Sequence, residues 1–246
     1  PWMVAFDGTE QCETWDIGCS EIHVTADVAY ALGQYMENTQ DKGFFLSGGA
    51  EVLMETARFW ISRYTPEPGT GLVNLLFCKG PDEYCGVTSN NLFTNMMVQH
   101  NLELAIRAAD ALARLDREQY HRLGITPGEQ EDWARLHRSI KLPKDSASGH
   151  WQTDDPFHLL EPIDPKLLKT SDEASYHQVC FDRLQRYKVV KQADVLLLMT
   201  RLPERFSAVE RLSAWEDFEP LCLHDSTLSF ASHALFAAQN GLMERA

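Results

Sequence analysis

Apolar side chains recur every three or four residues over most of the chain, which is the spacing of one buried face of an α-helix. This pattern predicts helices over residues 21–37, 44–64, 92–116, 127–140, 173–201, 206–215 and 227–238. A break near Lys191 is compatible with the helix predicted over 173–201. Thr126 is placed to cap the helix that begins at Pro127. Helices are therefore the main elements that we expect.

Strand signals are few. Residues 71–77 have the composition of a β-strand, and one short strand is expected around Trp151, inside an irregular connection over 141–171. The predicted fold class is all-α, a toroid or solenoid of helix pairs joined by long loops, with a few short strands. No repeat of fixed period occurs, which makes the solenoid the weaker alternative. Long loops on a rigid helical frame are where a functional site is expected.

Both chain ends suggest a piece of a longer protein. The chain opens on the apolar segment Pro1–Phe6, and its last residues, 241–246, have the composition of a helix. A native terminus is more often polar and frayed. We therefore expect a fragment that is inactive by itself.

Composition and net charge restrict the kinds of molecule that the protein can bind. The chain has 246 residues, is 44% hydrophobic and carries a formal net charge of −14. This charge argues against a nucleic-acid partner, which requires a basic face, but a few converging donors still suffice to hold a small anion. No run of 18 apolar residues occurs, so no membrane span is expected. The six cysteines fit no common zinc pattern, and we expect mostly free thiols in a reducing cytoplasm and no metal site.

An acidic loop is the first candidate for chemistry. Gly80-Pro81 predicts a fixed turn, followed by the adjacent acids Asp82 and Glu83 and the aromatic Tyr84. Neighbouring carboxylates on a loop usually point in different directions, so one can face a pocket while the other ties down the loop. A carboxyl group against aromatic surface is partly desolvated, which favours the protonated form that a general acid needs. From this segment alone, a solvated acidic turn is the better interpretation.

Two further segments offer donors. Lys191-Gln192-Ala193-Asp194 precedes an apolar helix and suits recognition of hydroxyl groups or an oxyanion. The segment 224–229 places His224, Ser226 and Thr227 at a predicted helix start, where free N–H groups favour an anion. Locally, an exposed helix face and an ordinary N-cap explain them as well. A hydrolase triad from His-Asp-Ser is discounted, because side chains this close in sequence rarely converge in that way.

A fourth polar segment, Glu21-Ile22-His23, stands at the start of the first predicted helix. It is compatible with a helix end that faces a sugar. It is equally compatible with a capped helix start, because the helix dipole favours acids there. The segment by itself does not distinguish these two interpretations.

The order and spacing of these segments resemble glycoside hydrolase family 65. The resemblance rests on Asp7–Glu10, Glu21–Ala31, Glu55–Trp60, Gly80–Tyr84, Asn91–Asn95, Lys191–Val195, Glu219-Pro220 and His224–Ser229, and it spans nearly the whole chain. That family contains maltose, trehalose, kojibiose and nigerose phosphorylases together with some trehalase-like hydrolases. The resemblance implies a carbohydrate enzyme without a metal or organic cofactor, and the expected free thiols favour a cytoplasmic location.

For the architecture, the resemblance implies an (α/α)6 barrel as catalytic domain in a parent enzyme that is often a homodimer. Residues 1–246 would then form a single, partial (α/α)6 catalytic domain. The N-terminal β-sandwich, the first barrel helices and the C-terminal segment would lie outside this chain.

Roles for individual residues also follow from the resemblance. Glu83 matches the general acid, and Lys191 and Gln192 match residues that line the glucose and phosphate sites. Ser226 and Thr227 match a pair of hydroxyl residues that bind phosphate, although the commoner pattern there is Ser-Ser.

Other roles are less direct. His224 would lie beside the phosphate pocket, and Glu21, His23 and Asp82 are further candidates for the substrate site. A Trp-Asp pair that holds glucose in this family would lie upstream of Pro1. The segment 151–157 matches its counterpart only loosely, so the resemblance does not name the acceptor sugar.

The implied reaction is inverting phosphorolysis of an α-glucosidic disaccharide of the maltose, trehalose, kojibiose or nigerose class, with inorganic phosphate as co-substrate. A hydrolase must supply a carboxylate base to activate water, whereas phosphate is already anionic and needs only donors to hold it. One acid, Glu83, beside several donors favours the phosphorylase. A hydrolase of trehalase or kojibiosidase type is the first alternative, and a non-catalytic carbohydrate-binding or scaffold role is the second.

Overall fold

The computed structural model of the chain describes residues 19–169 and 171–245, and these are mostly helical. The α-helices of at least four residues in the described part of the chain are α1 Val24–Thr39, α2 Ala50–Ile61, α3 Leu92–Leu115, α4 Arg117–Arg122, α5 Pro127–Ser139, α6 Phe181–Leu184, α7 Asp194–Arg201, α8 Ala208–Phe218 and α9 Thr227–Gln239, and a π-helical turn, Phe45–Gly49, precedes α2. The strands are β1 Tyr64–Pro66 and β2 Val73–Leu75. A helical fold is thus confirmed, and the partial (α/α)6 barrel and the single domain remain predictions.

The chain divides into two compact units. We call residues 22–76 and 94–142 the helical unit, and residues 1–21, 77–93 and 143–246 the loop-rich unit. The stretches 1–18, 170 and 246 lie outside the described residues, and so does the motif 7–10.

The helical unit is built around the apolar faces of α1, α2 and α3. Ala29, Leu53, Leu104 and Ala108 form one buried cluster, with Leu32, Met36 and Phe45 packed against it. The fully buried Trp60 donates its indole N–H to Asn101 Oδ1 at 3.1 Å, so its polar atom is satisfied inside the core. Thr126 caps α5 as predicted, since its hydroxyl accepts from Glu129 N at 3.1 Å.

The hairpin of the helical unit differs from the sequence prediction at one end. β2 lies inside the predicted strand 71–77, but its antiparallel partner β1 occupies residues that were predicted to end a helix. The helix ends at Ile61, and Tyr64 pairs with Leu75 instead. Tyr64 also donates to Asn95 Oδ1 at 2.8 Å, which fixes the strand against the start of α3. This contact between distant residues outweighs the local helical pattern.

In the loop-rich unit, α7 is buried between α8 and α9, with Val195, Leu196, Leu198 and Met199 inaccessible to solvent. A second cluster lies under the loops and consists of Tyr84, Leu168, Leu184, Tyr187, Val189 and Leu223. Loops with a buried underside of this kind can hold side chains in fixed positions. No helix among the described residues has the length and apolar character to cross a membrane.

The prediction of one helix over 173–201 is wrong. The segment contains a 3-10 turn at Ser175–His177, the short α6, an extended stretch and then α7. The extended stretch bonds elsewhere, because Lys188 N donates to Glu161 O at 2.8 Å and Leu223 N donates to Val190 O at 2.9 Å. These non-local backbone bonds replace the helical ones, so the break falls before α7, where Lys191 stands. The strand expected around Trp151 is a single bridge between Lys144 and Trp151.

Candidate active site

The acidic loop is held from below by its neighbours in the loop-rich unit. Lys79 N donates to Ser20 O at 2.9 Å, and Lys79 Nζ donates to Cys85 O at 2.6 Å, which closes the loop around one buried ammonium. Gly80 permits the close approach of Asn91, because a Cβ at position 80 would lie 2.4 Å from Asn91 Nδ2. The sequence Lys-Gly-Pro thus sets the path of the backbone that carries Asp82 and Glu83.

The two acids of the loop point in different directions. Asp82 is 2% exposed, and its Oδ1 accepts from Lys191 N at 2.8 Å and from Tyr84 N at 3.2 Å. Burial raises the pKa of Asp82 to about 7, although these hydrogen bonds oppose the shift. Asp82 therefore connects the loop to the segment that begins at Lys191, and its carboxyl is occupied by backbone donors.

Glu83, in contrast, keeps 45% of its side chain exposed. Its Oε2 forms an ion pair with Lys191 Nζ, and the Lys191 ammonium also lies 5.3 Å from the centre of the Tyr176 ring. Gln192 Nε2 donates to Pro81 O at 3.0 Å. The structure thus brings together Glu83, Lys191 and Gln192, which the sequence analysis selected from segments more than 100 residues apart.

A buried network joins the acidic loop to the segment before α9. Tyr84 donates its hydroxyl to Asp225 Oδ2 at 2.5 Å, Ser175 N donates to the same oxygen at 2.9 Å, and Lys169 forms an ion pair with Oδ1. Burial alone would raise the pKa of Asp225, but the Lys169 ammonium and the hydrogen bonds outweigh it and lower the pKa below its ordinary value. Both carboxylate oxygens of Asp225 thus have partners, which hold this anion in place.

The segment 224–229 caps α9. Ser226 is the N-cap, and its Oγ accepts from Leu228 N at 3.3 Å, while Thr227 is exposed in the first turn. His224 has a positive φ of 50°, and its Nδ1 lies 3.0 Å from Ser229 Oγ. Because Tyr84 and Asp225 are bonded to each other, their neighbours Glu83 and Ser226 belong to two loops that lie side by side.

Two predicted substrate residues have different surroundings. His23 belongs to the helical unit, where its Nδ1 lies 2.7 Å from Asp27 Oδ2. Glu21 is half-buried at the end of the first segment of the loop-rich unit. Their role in substrate binding stays a prediction.

Sequence reasoning missed a group of buried polar residues beneath the loop. Asp194 and Asp154 are nearly inaccessible, and burial raises the pKa of both carboxyls. Asn91 Nδ2 donates to Asp194 Oδ2 at 2.8 Å, and Cys85 Sγ donates to Asp154 Oδ2 at 3.3 Å. A cavity of about 90 Å³ lies against Asp82 and Asp154. The one available signal was the position of Asp194 directly before an apolar helix, where an exposed N-terminal acid was the simpler interpretation.

Comparison with known proteins confirms the resemblance. Residues 1–246 match the Glycosyl hydrolase family 65 central catalytic domain. A kojibiose phosphorylase of Halothermothrix orenii is 34% identical over 94% of this chain and 30% of its own length. An alpha,alpha-trehalose phosphorylase of Thermoanaerobacter brockii is 32% identical over 100% of this chain and 32% of its own length.

A solved structure agrees with these relatives. The protein described as "Putative kojibiose phosphorylase from human microbiome" superposes with a TM-score of 0.85 and 26% identity, over 97% of this chain and 33% of its own. The chain thus spans about a third of the length of the relatives that it matches. With a family domain matched from its first residue to its last, this chain belongs to glycosyl hydrolase family 65.

Proposed function

We propose that the protein to which this chain belongs catalyses inverting phosphorolysis of an α-glucosidic disaccharide, with Glu83 as general acid and inorganic phosphate as nucleophile. The products would be β-glucose 1-phosphate and the released sugar. Relatives that cover this whole domain carry the names kojibiose, trehalose and maltose phosphorylase, which supports phosphorolysis of α-glucosides. The disaccharide itself is left to experiment.

The observation that carries this proposal is a difference among three of the carboxylates at the loop: Asp82 and Asp225 are engaged by other groups, whereas Glu83 is exposed. Asp82 accepts backbone N–H groups, and Asp225 is occupied by Lys169, Tyr84 and Ser175. Glu83 alone of these three has a side chain open to solvent. An inverting hydrolase needs a second carboxylate that is free to activate water, whereas a phosphorylase needs one acid and a set of donors. The engagement of Asp82 and Asp225 favours the second arrangement.

Lys191 would contact both the general acid Glu83 and the phosphate. In the structure its ammonium forms an ion pair with the carboxylate of Glu83. A phosphate dianion that binds beside Ser226, Thr227 and His224 would compete for the same ammonium. Once Lys191 turns to phosphate, Glu83 would be free to donate its proton to the leaving oxygen. Gln192 would hold its neighbour Lys191 in place through its bond to Pro81 O.

The remaining substrate contacts belong to the same proposal. Asp82 would position the loop, and Glu21 and His23 would complete the sugar site in the parent enzyme. The reaction as proposed uses no metal or organic cofactor. A homodimeric parent, a cytoplasmic location and a partial (α/α)6 barrel over residues 1–246 are further parts of it.

The test uses the full-length protein with kojibiose, trehalose, maltose and nigerose, each with and without inorganic phosphate, and follows the products by NMR. Phosphate-dependent release of β-glucose 1-phosphate from one of them is expected. Glu83→Gln should lower kcat by about 10²- to 10⁴-fold, as loss of a general acid does. Glu216→Gln, at an exposed position of α8, is the matched control and should retain activity.

Two results would overturn the proposal. Equal cleavage without phosphate, with free glucose as the product, would indicate the hydrolase. Binding of a disaccharide without any turnover in either condition would indicate a non-catalytic carbohydrate-binding protein.

A further inference from the structure

Three side chains with nitrogen or sulfur ligand atoms converge behind the segment that caps α9. Cys222, His224 and His233 each offer one such atom, and these three atoms lie within 4.8 Å of one another. Of these pairs, Cys222 Sγ and His224 Nδ1 lie 3.7 Å apart. Cys222 forms the bridge to Val190, His224 lies in the loop that follows, and His233 lies on the buried face of α9. The fold therefore brings the three side chains together.

The buried imidazole of His233 has no hydrogen bond in the described structure that would explain its position. Its side chain is 4% exposed, and neither ring nitrogen has a hydrogen-bond partner among residues 19–169 and 171–245. Its neighbours are aromatic rings, with Trp215 at 6.0 Å and His224 at 4.8 Å between ring centres. A buried polar group without a partner is costly, and such a group in a native protein requires an explanation. A ligand that binds to the ring would supply one.

Burial favours the metal-binding form of the two imidazoles and opposes that of the thiol. Burial, with a smaller contribution from His224, lowers the pKa of His233 to about 4, and burial lowers the pKa of His224 too. Both rings are therefore neutral at pH 7, which is the form that coordinates metals. Burial raises the pKa of the Cys222 thiol to about 12, so the thiol stays protonated until a metal displaces its proton.

We propose that Cys222, His224 and His233 form a binding site for a transition-metal ion of the zinc class. One thiolate and two imidazoles select zinc and its neighbours over magnesium or calcium, which prefer oxygen. In a tetrahedral zinc site with Zn–S near 2.3 Å and Zn–N near 2.0 Å, ligand atoms lie roughly 3.3–3.6 Å apart. Cys222 Sγ and His224 Nδ1, 3.7 Å apart, are already close to this value, and all three ligand atoms lie within 4.8 Å of one another, so only small shifts are needed. Three protein ligands leave a fourth position for water.

The sequence analysis predicts no metal site because these residues stand two and nine positions apart, a spacing that resembles no common zinc motif. The metal site is inferred without reference to the proposed phosphorolysis, although His224 belongs to both proposals. Metal binding converts Cys222–SH into a thiolate–metal bond with release of one proton to solvent, and it involves no change of oxidation state.

The test is a titration of the full-length protein, stripped of metal by a chelator, with Co²⁺ as a spectroscopic probe. We expect a sulfur-to-cobalt charge-transfer band that saturates at one ion per chain and disappears when Zn²⁺ is added. Cys222→Ser should abolish the band, and His233→Phe should weaken Zn²⁺ binding by about 100-fold or more, because each removes one of three ligands. Cys180→Ser, at an exposed thiol of the same unit, should leave both measurements unchanged.

Several outcomes would overturn the proposal. One is the absence of a charge-transfer band in the wild-type protein, and another is a band that persists in Cys222→Ser. Thermal melting of each metal-free variant checks folding, and His224→Gln replaces any variant that fails to fold. Retention of full Zn²⁺ affinity in that variant would also contradict the site.

Discussion

The hydroxyl of Tyr84 donates to the buried carboxylate of Asp225 over 2.5 Å, although 141 residues separate the two along the chain. This bond joins the loop that carries Glu83 to the segment that carries Ser226. The two segments are therefore held together by a side-chain contact under the site, and the contact does not use the groups assigned to the reaction.

Loss of this bond should affect stability and catalysis together. Tyr84→Phe removes one donor from a buried anion, so we expect the free energy of unfolding to fall by roughly 1–3 kcal/mol. Looser attachment of the two loops should also lower kcat/KM of the full-length enzyme by about tenfold or more, since small displacements of catalytic groups are costly. Urea unfolding and steady-state kinetics check the two effects.

The chain provides a matched control for this substitution. Tyr35 donates to Asp41 Oδ2 at 2.9 Å, and this pair is exposed to solvent. Tyr35→Phe removes the same kind of bond where water can replace it, so the free energy of unfolding should change far less than in Tyr84→Phe. Equal losses in the two variants would show that burial of Asp225 is not what makes the Tyr84 bond important.

The raised pKa of Asp82 predicts how stability depends on pH. The folded protein holds this proton up to about pH 7, whereas the unfolded chain releases it near the ordinary value of 3.8. Between these values the folded state binds more protons at Asp82, so the contribution of this carboxyl to stability is fully present below about pH 4, falls as the pH rises to about 7 and is then constant. One pKa unit corresponds to about 1.4 kcal/mol, so the full effect is on the order of 4 kcal/mol.

This dependence is measured by urea unfolding at several pH values between 4 and 8. Asp82→Asn cannot titrate and should flatten the profile over that range. Asp182→Asn, on the exposed surface of α6, should keep the slope of the wild-type protein. A profile of Asp82→Asn that is as steep as that of the wild type would assign the dependence to other groups, such as Asp154 and Asp194.

The helices that pack by one apolar face could be predicted from the sequence. α3, α5, α8 and α9 lie within a few residues of their predicted bounds, because their apolar spacing and their caps agree with the tertiary contacts. The segment 173–201 could not be predicted, because its backbone bonds run to Glu161 and Leu221, which no local pattern reveals. Glu83, Lys191 and Gln192 were found by their order along the chain. Their contacts, the network of Asp225 and the convergence on His233 depend on the fold alone.

Lys191 should contribute more to phosphate binding than to sugar binding. Lys191→Gln removes the ammonium that pairs with Glu83 and would pair with phosphate, while it keeps a hydrogen-bond donor. A charge-assisted bond is worth about 1.5–3 kcal/mol, so we expect KM for phosphate to rise by roughly 10- to 100-fold. KM for the disaccharide should change by less, and initial rates of the full-length enzyme with each substrate varied separately measure both.

Lys166→Gln is the control for this substitution, because Lys166 is exposed in a 3-10 turn of the same unit. It should leave both constants unchanged. A larger rise of KM for the disaccharide than for phosphate in Lys191→Gln would place this side chain in the sugar site instead.

Zinc should inhibit phosphorolysis if both proposals hold. A metal bound to Cys222, His224 and His233 takes His224 away from phosphate and fixes the backbone that leads to Ser226. We therefore expect Zn²⁺ to lower the rate of the full-length enzyme at saturating disaccharide, with partial relief by excess phosphate and full relief by a chelator. Cys222→Ser should be at least tenfold less sensitive, since its affinity for the ion is lower. Metal binding without any loss of rate would leave the metal site intact and show that His224 does not contact phosphate, whereas equal inhibition of Cys222→Ser would place the inhibitory ion elsewhere.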